Sequence, residues 1–415
     1  MIERVLCAGI ACVAVSVVLS AQTKTVPRPP AGPPPAGDST APDGYQPLPQ
    51  WLGQTRAPAA TRTAAFTVET FASGTNGAAF QFLPDGRILL GERNGRIRIV
   101  GKDGILSEPL AGMPPNMATA GQSLFSVERD QGFATNRVIY FTYAVVPAGV
   151  DPTTHRSPQH VHVASARIAA DGKSLEGVKD LLDGEGTGGR VIQANDGTLL
   201  VTTAVPAGLG IPSSEWMQPQ QLDSLMGKVL RINTDGTVPK DNPFVGTSGA
   251  RPEIFALGFR DPQGLTVDPT GAVWTSEHGP RGGDEINQVA KGKNYGFPVI
   301  TYGRDYNGKP INGDKTVQAG LEQPVYFWTP DIAPAGIAFY TGNAFPAWKG
   351  NLFVASLAAK YLIRLVLDGT HVVAEERLLT DVNARLRAVH EGPDGSLYVL
   401  TDGANGKILR LVARN

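Results

Sequence analysis

A short turn-and-strand pattern that returns four times limits this chain more than any other feature. It reads Leu83-Pro-Asp-Gly-Arg-Ile-Leu-Leu-Gly-Glu, Asn195-Asp-Gly-Thr-Leu-Leu-Val-Thr, Val267-Asp-Pro-Thr-Gly-Ala-Val-Trp-Thr-Ser-Glu and Gly392-Pro-Asp-Gly-Ser-Leu-Tyr-Val-Leu-Thr-Asp. Each copy sets a turn on Asp-Gly or Thr-Gly, then a strand rich in β-branched and aromatic residues. Glycine accepts positive φ without steric cost, so Asp-Gly suits a tight hairpin. Two alternating runs, Gly95-Arg-Ile-Arg-Ile-Val and Gly406-Lys-Ile-Leu-Arg-Leu-Val, supply further strands. Glycine at 49, proline at 33 and only 18% charged residues suit turns and strands rather than helices. Hairpins spread over so long a stretch imply an all-β fold. Radial repetition in a propeller protects the sheet edges and brings distant loops to one axial mouth. A pair of long β-sandwiches is the competing architecture.

The N-terminus reads as an address. Arg4 precedes an apolar run from Val5 to Leu19, and Ser20 and Ala21 follow. That pattern is a signal peptide over residues 1–21. The run falls short of the roughly 20 apolar residues of a membrane span. No stable membrane insertion is therefore expected after cleavage, and the expected location is periplasmic or secreted. The only cysteines, Cys7 and Cys12, lie in this run, so the mature chain has no disulfide or cysteine metal site. Gly9-Ile10-Ala11 before Cys12 is a poor lipid-attachment context. Residues 22–64, with Pro27-Arg-Pro-Pro-Ala-Gly-Pro-Pro-Pro, read as a disordered or extended linker. The folded domain is expected over 65–415, opening on the alternating Phe66-Thr-Val-Glu-Thr-Phe.

A formal net charge of −1 and the lack of a basic stripe argue against a nucleic-acid partner. His160 and His162 share a strand face and, with His155, form a tempting metal cluster. No nearby acidic pattern supports it, so an exposed strand edge is the simpler reading.

One long segment is distinctive. It runs Gly258-Phe-Arg-Asp-Pro-Gln-Gly-Leu-Thr-Val-Asp-Pro-Thr-Gly-Ala-Val-Trp-Thr-Ser-Glu-His-Gly-Pro-Arg-Gly-Gly-Asp-Glu-Ile-Asn and continues to Gly292-Lys-Asn-Tyr-Gly-Phe-Pro. It resembles the signature of the glucose/sorbosone dehydrogenases, which include the bacterial aldose sugar dehydrogenases. Gly121-Gln122, Gly227-Lys-Val-Leu-Arg-Ile-Asn-Thr-Asp-Gly, Val325-Tyr-Phe-Trp-Thr-Pro-Asp and Arg385-Leu-Arg-Ala-Val extend the resemblance over about residues 66–412. The resemblance implies a six-bladed β-propeller with pyrroloquinoline quinone (PQQ) at its mouth and Ca2+ beneath it. The implied reaction oxidises an aldose to its lactone, with a small-molecule sugar as partner and an electron acceptor the sequence does not name. In such a family the cofactor does the redox chemistry and the protein supplies position and electrostatics.

Site residues are carried over position by position. Gln122 matches the glutamine that contacts the quinone. Arg260 matches the arginine beside its reactive carbonyl, where a fixed cation stabilises developing negative charge. Asp261 stands where the family has asparagine, and an added anion fits badly beside a polyanionic cofactor. Gly279 and Pro280 match backbone-carbonyl ligands of calcium; read alone, Gly-Pro is a turn. Glu277, Asp284 and Glu285 either complete an ion site or cap a loop. Arg385 and Arg387 match the pair that binds cofactor carboxylates, and alternation puts both on one strand face. Solvent-facing strand residues are the plainer alternative. Trp328 matches an aromatic at the sugar rim, and a buried core tryptophan fits the sequence equally. His278 aligns with a position that is not the base, and His390 is expected to be structural.

Two departures bear on activity. Aligning on Gly188-Gly-Arg190 puts Gly186 where the family has its catalytic histidine. General-base catalysis contributes about 10²–10⁴-fold, so its loss is costly. Glu185, next door, is the candidate replacement base, although a carboxylate near pKa ~4 is a weak one. The family's cofactor-contacting lysine falls at Ala358, with Lys360 two residues on and expected on the same strand face. Two functions remain: a PQQ-dependent aldose dehydrogenase, or a catalytically degenerate propeller that binds a ligand or partner at the same mouth. No Gly-x-Ser-x-Gly elbow supports a hydrolase.

Overall fold

The computed structural model describes residues 57–60, 64–117, 123–146, 160–205 and 213–414. The signal peptide read over 1–21, most of the linker read over 22–64, Gln122 and His155 lie outside the described residues.

Six antiparallel sheets form a closed ring. The first blade holds β2 (Gly77–Phe82), β3 (Ile88–Glu92) and β4 (Ile97–Val100). The second holds β5 (Leu124–Arg129), β6 (Val138–Val145), β7 (His160–Ile168) and β8 (Leu175–Gly184). The third holds β9 (Val191–Gln193), β10 (Leu199–Thr203), β11 (Lys228–Ile232) and β12 (Ile254–Leu257). The fourth holds β13 (Pro262–Val267), β14 (Val273–Glu277), β15 (Asp284–Val289) and β16 (Tyr326–Trp328). The fifth holds β17 (Pro334–Phe339), β18 (Leu352–Ser356), β19 (Leu362–Asp368) and β20 (His371–Leu378). The sixth joins β21 (Leu386–Glu391), β22 (Leu397–Thr401) and β23 (Gly406–Ala413) to β1 (Phe66–Thr75). The chain is therefore a six-bladed β-propeller rather than a pair of sandwiches. Pairing of β1 with β23, from Phe66↔Ala413 to Thr75↔Gly406, closes the ring with both ends of the domain.

The recurring sequence pattern is the turn between the first and second strands of a blade. Gly86, Gly197, Gly271 and Gly395 all take positive φ there, between +74° and +89°. The preceding Asp85, Asp196, Asp268 and Asp394 accept backbone N–H bonds two residues on. These Asx turns fix the hairpins. Apolar positions of neighbouring blades interlock in six clusters, one per interface. Leu89 with Phe141 and Leu90 with Leu400 are examples. Removing this apolar surface from water is the main force holding the ring shut.

The innermost strands β2, β5, β9, β13, β17 and β21 pack successively around the axis. Their approach is close enough to exclude a side chain at Gly336, where a Cβ would lie 2.8 Å from Ala388 Cα. Five of the six carry a register shift near their first residues: Gly77/Ala79, Leu124/Ser126, Pro262/Gly264, Pro334/Ile337 and Leu386/Ala388. A bulge frees backbone groups from the ladder and re-aims a side chain. Here the bulges line one end of the axis, the end reached by loops entering the innermost strands.

One boundary needs correction. Residues 57–60, read as linker, lie along the outer edge of the fifth blade. Ala60 donates its N–H to the Glu375 carbonyl at 2.7 Å, and Glu375 donates to the Pro58 carbonyl at 3.0 Å. Ala57 is buried and donates to the Tyr326 hydroxyl at 2.8 Å. The edge strand β20 would otherwise present unpaired backbone groups, and this strap covers part of them. Among the described residues, no helix is long and apolar enough to cross a membrane.

Candidate active site

Loops entering the innermost strands, and loops joining second to third strands, reach the bulged end of the axis. Arg190, Arg260, Asp261 and Arg385 come from the first set, and Arg387 from the start of β21 itself. Arg93, His278, Gly279, Pro280, Lys360 and Asp402 come from the second.

Arg190 lies across the axis. Its Nε donates to the Gln263 carbonyl at 2.6 Å, and its Nη1 donates to the carbonyls of Ala78 at 3.2 Å and Phe125 at 3.1 Å. All three carbonyls belong to bulged residues, so a cation from the third blade satisfies groups that the first, second and fourth blades left out of their ladders. Burial lowers the Arg190 pKa to about 9, and nearby Arg387 pushes the same way. Below it, a cavity of about 40 Å3 runs down the axis.

Arg387 is the extra residue of the β21 bulge. Its Nε and Nη2 donate to Asp402 Oδ1, both at 3.1 Å. Arg385 Nε donates to Asp402 Oδ2 at 2.9 Å, and Arg93 Nη1 donates to Oδ1 at 2.8 Å. Three guanidinium groups thus share one carboxylate. Burial alone would raise the Asp402 pKa; Arg387, Arg385 and Arg93 outweigh it and bring it to about 2. Burial lowers that of Arg387, Asp402 opposes, and Arg93 adds to the lowering. The cluster keeps positive charge that Asp402 does not cancel.

On the fourth blade Arg260 is 4% exposed. Its Nη1 donates to the carbonyls of His278 at 2.9 Å and Gly279 at 3.0 Å, and its Nη2 to the Tyr306 hydroxyl at 2.8 Å. Asp261 accepts a 2.6 Å bond from Gln263 and faces His278 Nδ1 at 3.5 Å. Its charge is turned toward its own blade. Burial drives the His278 pKa to about 4; Asp261 opposes, while Arg260 and Arg387 add to the fall. His278 is therefore neutral at pH 7.

At the Gly279-Pro280 turn, expected to hold calcium, the Gly279 carbonyl accepts from Arg260, a guanidinium against which a dication would be repelled. Three neighbouring carboxylates already accept from protein donors. Glu277 takes the Arg260 amide and Asn287, Asp284 takes the amides of Gly279, Ile332 and Ala333, and Glu285 takes Asn287. These three cap and brace loops. The cationic cluster does fit a polycarboxylate such as PQQ, whose carboxylates would meet Arg385 and Arg387, with Arg260 across the mouth.

Three expectations change. Glu185 is not placed as a base: its Oε2 accepts from Ser224 Oγ at 2.8 Å and Leu225 N–H at 3.1 Å, and its Oε1 lies 3.6 Å from Arg251. It anchors the 222–226 loop. Trp328 is 1% exposed and donates its indole N–H to Glu375 at 3.1 Å, inside the core between the fourth and fifth blades. It reaches no sugar rim. Lys360 sits in the β18–β19 turn with φ +60°, not on a strand, so the shared-face argument fails. Its Nζ bonds Asn383 at 3.3 Å. Gly186 has φ +85°, and a Cβ there would collide with the Ala204 carbonyl. The position is built for glycine.

Sequence reasoning missed Arg93, Arg190 and Asp402. Asp402 ends the fourth hairpin copy, and Arg190 ends the alignment anchor, but nothing in their spacing reveals their partners. It also missed acidic neighbours of the histidine pair: His162 lies 3.4 Å from Asp180 and 3.2 Å from Asp183, and His160 lies 3.3 Å from Asp183. Among the described residues, no group of three His, Cys, Asp or Glu is arranged to hold a metal ion. His390 lines the axial cavity.

A family model described as Glucose / Sorbosone dehydrogenase matches residues 75–410. Aldose sugar dehydrogenase YliI of Escherichia coli strain K12 is 38% identical over 340 residues, 81% of this chain and 90% of that protein. The apo-form crystal structure of soluble aldose sugar dehydrogenase from Escherichia coli superimposes with a TM-score of 0.75 at 35% identity, covering 84% of this chain and all of the other. The PQQ-bound aldose sugar dehydrogenase of Streptomyces coelicolor gives 0.67 at 25% identity, covering 85% and 99%. The family model and these relatives, with the six-bladed ring, show that the chain belongs to the glucose/sorbosone dehydrogenase family.

Proposed function

We propose that this protein is a PQQ-dependent aldose dehydrogenase, exported to the periplasm or beyond, that works at the bulged mouth of the propeller. The observation that carries the reading is the excess of guanidinium over carboxylate around Asp402, in a family with a PQQ-bound relative. PQQ, when bound, supplies a two-electron acceptor for hydride from the sugar C1. The chain's own part is to bind and orient. Arg385 and Arg387 grip carboxylates, and Arg260, fixed by the His278 and Gly279 carbonyls and Tyr306, presents positive charge without moving. Arg190 bridges the innermost strands beneath the mouth through three backbone carbonyls.

A second reading has its own support. Position 186 cannot carry a base, and Glu185 is engaged elsewhere. A propeller that binds the cofactor or another polyanion without turnover fits those facts. Purified protein mixed with PQQ, with and without calcium, separates the two: dye reduction with a panel of aldoses supports the dehydrogenase. Tight PQQ binding with no turnover supports the binder; no PQQ binding overturns the dehydrogenase and leaves the binder only with another polyanion.

A further inference from the structure

Beyond the arginine pair that the family signature marks, two residues complete the cationic cluster. Arg93 comes from the β3–β4 loop of the first blade, and Asp402 from the β22–β23 loop of the sixth. Their side chains meet at 2.8 Å across 309 positions of sequence. We propose that Arg93 is a third anion-binding arginine of the mouth. We further propose that Asp402 is the positioning residue that holds all three guanidinium groups in register for a polycarboxylate. For the identity of that anion the proposal rests on the PQQ reading above.

Three observations carry it. First, Asp402 accepts four bonds, three on Oδ1 and one on Oδ2, and the three guanidinium groups together hold more N–H groups than it engages. A carboxylate has about four lone-pair sites, whereas each guanidinium has five N–H groups in a planar fork. Two of the four bonds come from Arg387 and one each from Arg385 and Arg93. Bidentate carboxylate recognition is what such forks do best. Second, Asp402 is placed rigidly. Its side chain is 5% exposed and its N–H donates to the Arg385 carbonyl at 2.8 Å. Arg93 is one-third exposed at 33%, so its head reaches the mouth rather than the core. Third, Arg93 is held through its backbone as well. Its carbonyl accepts the Ser123 N–H at 2.7 Å, and its own N–H donates to the Asn76 carbonyl at 2.8 Å. The cluster spans the seam between the first and last blades, so an anion seated there also ties the ring closed.

The test uses the apo protein and four forms: wild type, R93Q, D402N and the double variant. PQQ affinity is read by quenching of intrinsic fluorescence at physiological ionic strength, alongside the unliganded melting temperature. R93Q is expected to weaken binding about tenfold, the scale of one lost charge-assisted bond. D402N is expected to weaken it at least about tenfold, although it removes a negative charge, because the forks lose their common anchor. The double variant is expected to be no more than about twofold weaker than the poorer single one, since both act through one cluster. Tighter PQQ binding by D402N would show a mere repulsive anion and overturn the positioning role. An unchanged affinity in R93Q overturns the third arginine, and its exposed side chain keeps that arm readable even if D402N folds poorly. Citrate separates this proposal from the PQQ reading. If wild type binds no PQQ but citrate raises its melting temperature, and R93Q abolishes the rise, the socket stands and the cofactor identity falls. No response to either ligand overturns both.

Discussion

Replacing Arg190 with methionine tests the claim that one cation staples four blades at the axis. The side chain keeps its length and loses three hydrogen bonds, to the carbonyls of Ala78, Phe125 and Gln263. A buried acceptor left without its donor costs about 1–3 kcal/mol. Three give about 3–9 kcal/mol before compensation. Two effects reduce this: water reaches some of the carbonyls from the mouth, and the variant no longer buries a cation. That burial is substantial, with Arg190 9% exposed. A net loss of about 3 kcal/mol remains. At roughly 2.1 cal/mol/K per residue, a folded body of roughly 350 residues changes its melting temperature by about 1.4 °C per kcal/mol. R190M should therefore melt about 4 °C lower by calorimetry. Faster amide exchange should be concentrated in β2, β5 and β13. A change under about 1 °C, or a rise, would refute the staple and leave Arg190 as a charge the fold merely tolerates.

Other outcomes follow from the same geometry. E185Q keeps an acceptor for Ser224 and Leu225, so any aldose turnover should stay within about twofold of wild type in a dye-reduction assay; a collapse would restore Glu185 as base. G186H should not create activity and should destabilise by about 2–4 kcal/mol, read as a melting point lower by about 3–6 °C, because it forces a side chain at positive φ into the Ala204 carbonyl. Burial raises the Glu128 pKa to about 7, against hydrogen bonds from Gln81 and the Arg129 amide. The folded state then holds this proton more tightly than the unfolded chain, so its contribution to stability falls as pH climbs from about 4.5 to about 7. E128Q should flatten that part of the pH–stability curve, with its largest relative gain near pH 8; an unchanged slope counts against the raised pKa.

The sequence exposes what repeats and hides what crosses the ring. The Asp-Gly turns were legible because their demands are local: a positive φ at Gly86, Gly197 and Gly395, and an aspartate to cap each turn. Arg385 and Arg387 were legible through their signature, yet their convergence comes from a bulge rather than from alternation. Lys360 failed for a related reason, since a turn with φ +60° breaks the strand on which face-counting depends. Trp328 could not be placed because what buries it lies on another blade, at Glu375. Glu185 looked available until Ser224 and Leu225, some forty positions on, claimed it. Arg93 with Asp402, and Arg190 with its three carbonyls, are encounters made only by closing the circle.

The strap at Ala57–Ala60 changes where the folded unit begins. Glu375 sits at the centre of its contacts, accepting from Tyr326, Trp328 and Arg377 while its backbone pairs with Pro58 and Ala60. Trimming the chain at residue 64, where the strand pattern first becomes visible, would unroof this acid and open the flank of the fifth blade to solvent. A fragment that starts at or before Ala57 keeps these contacts, and part of a segment that composition marks as a mere leash belongs to the building itself.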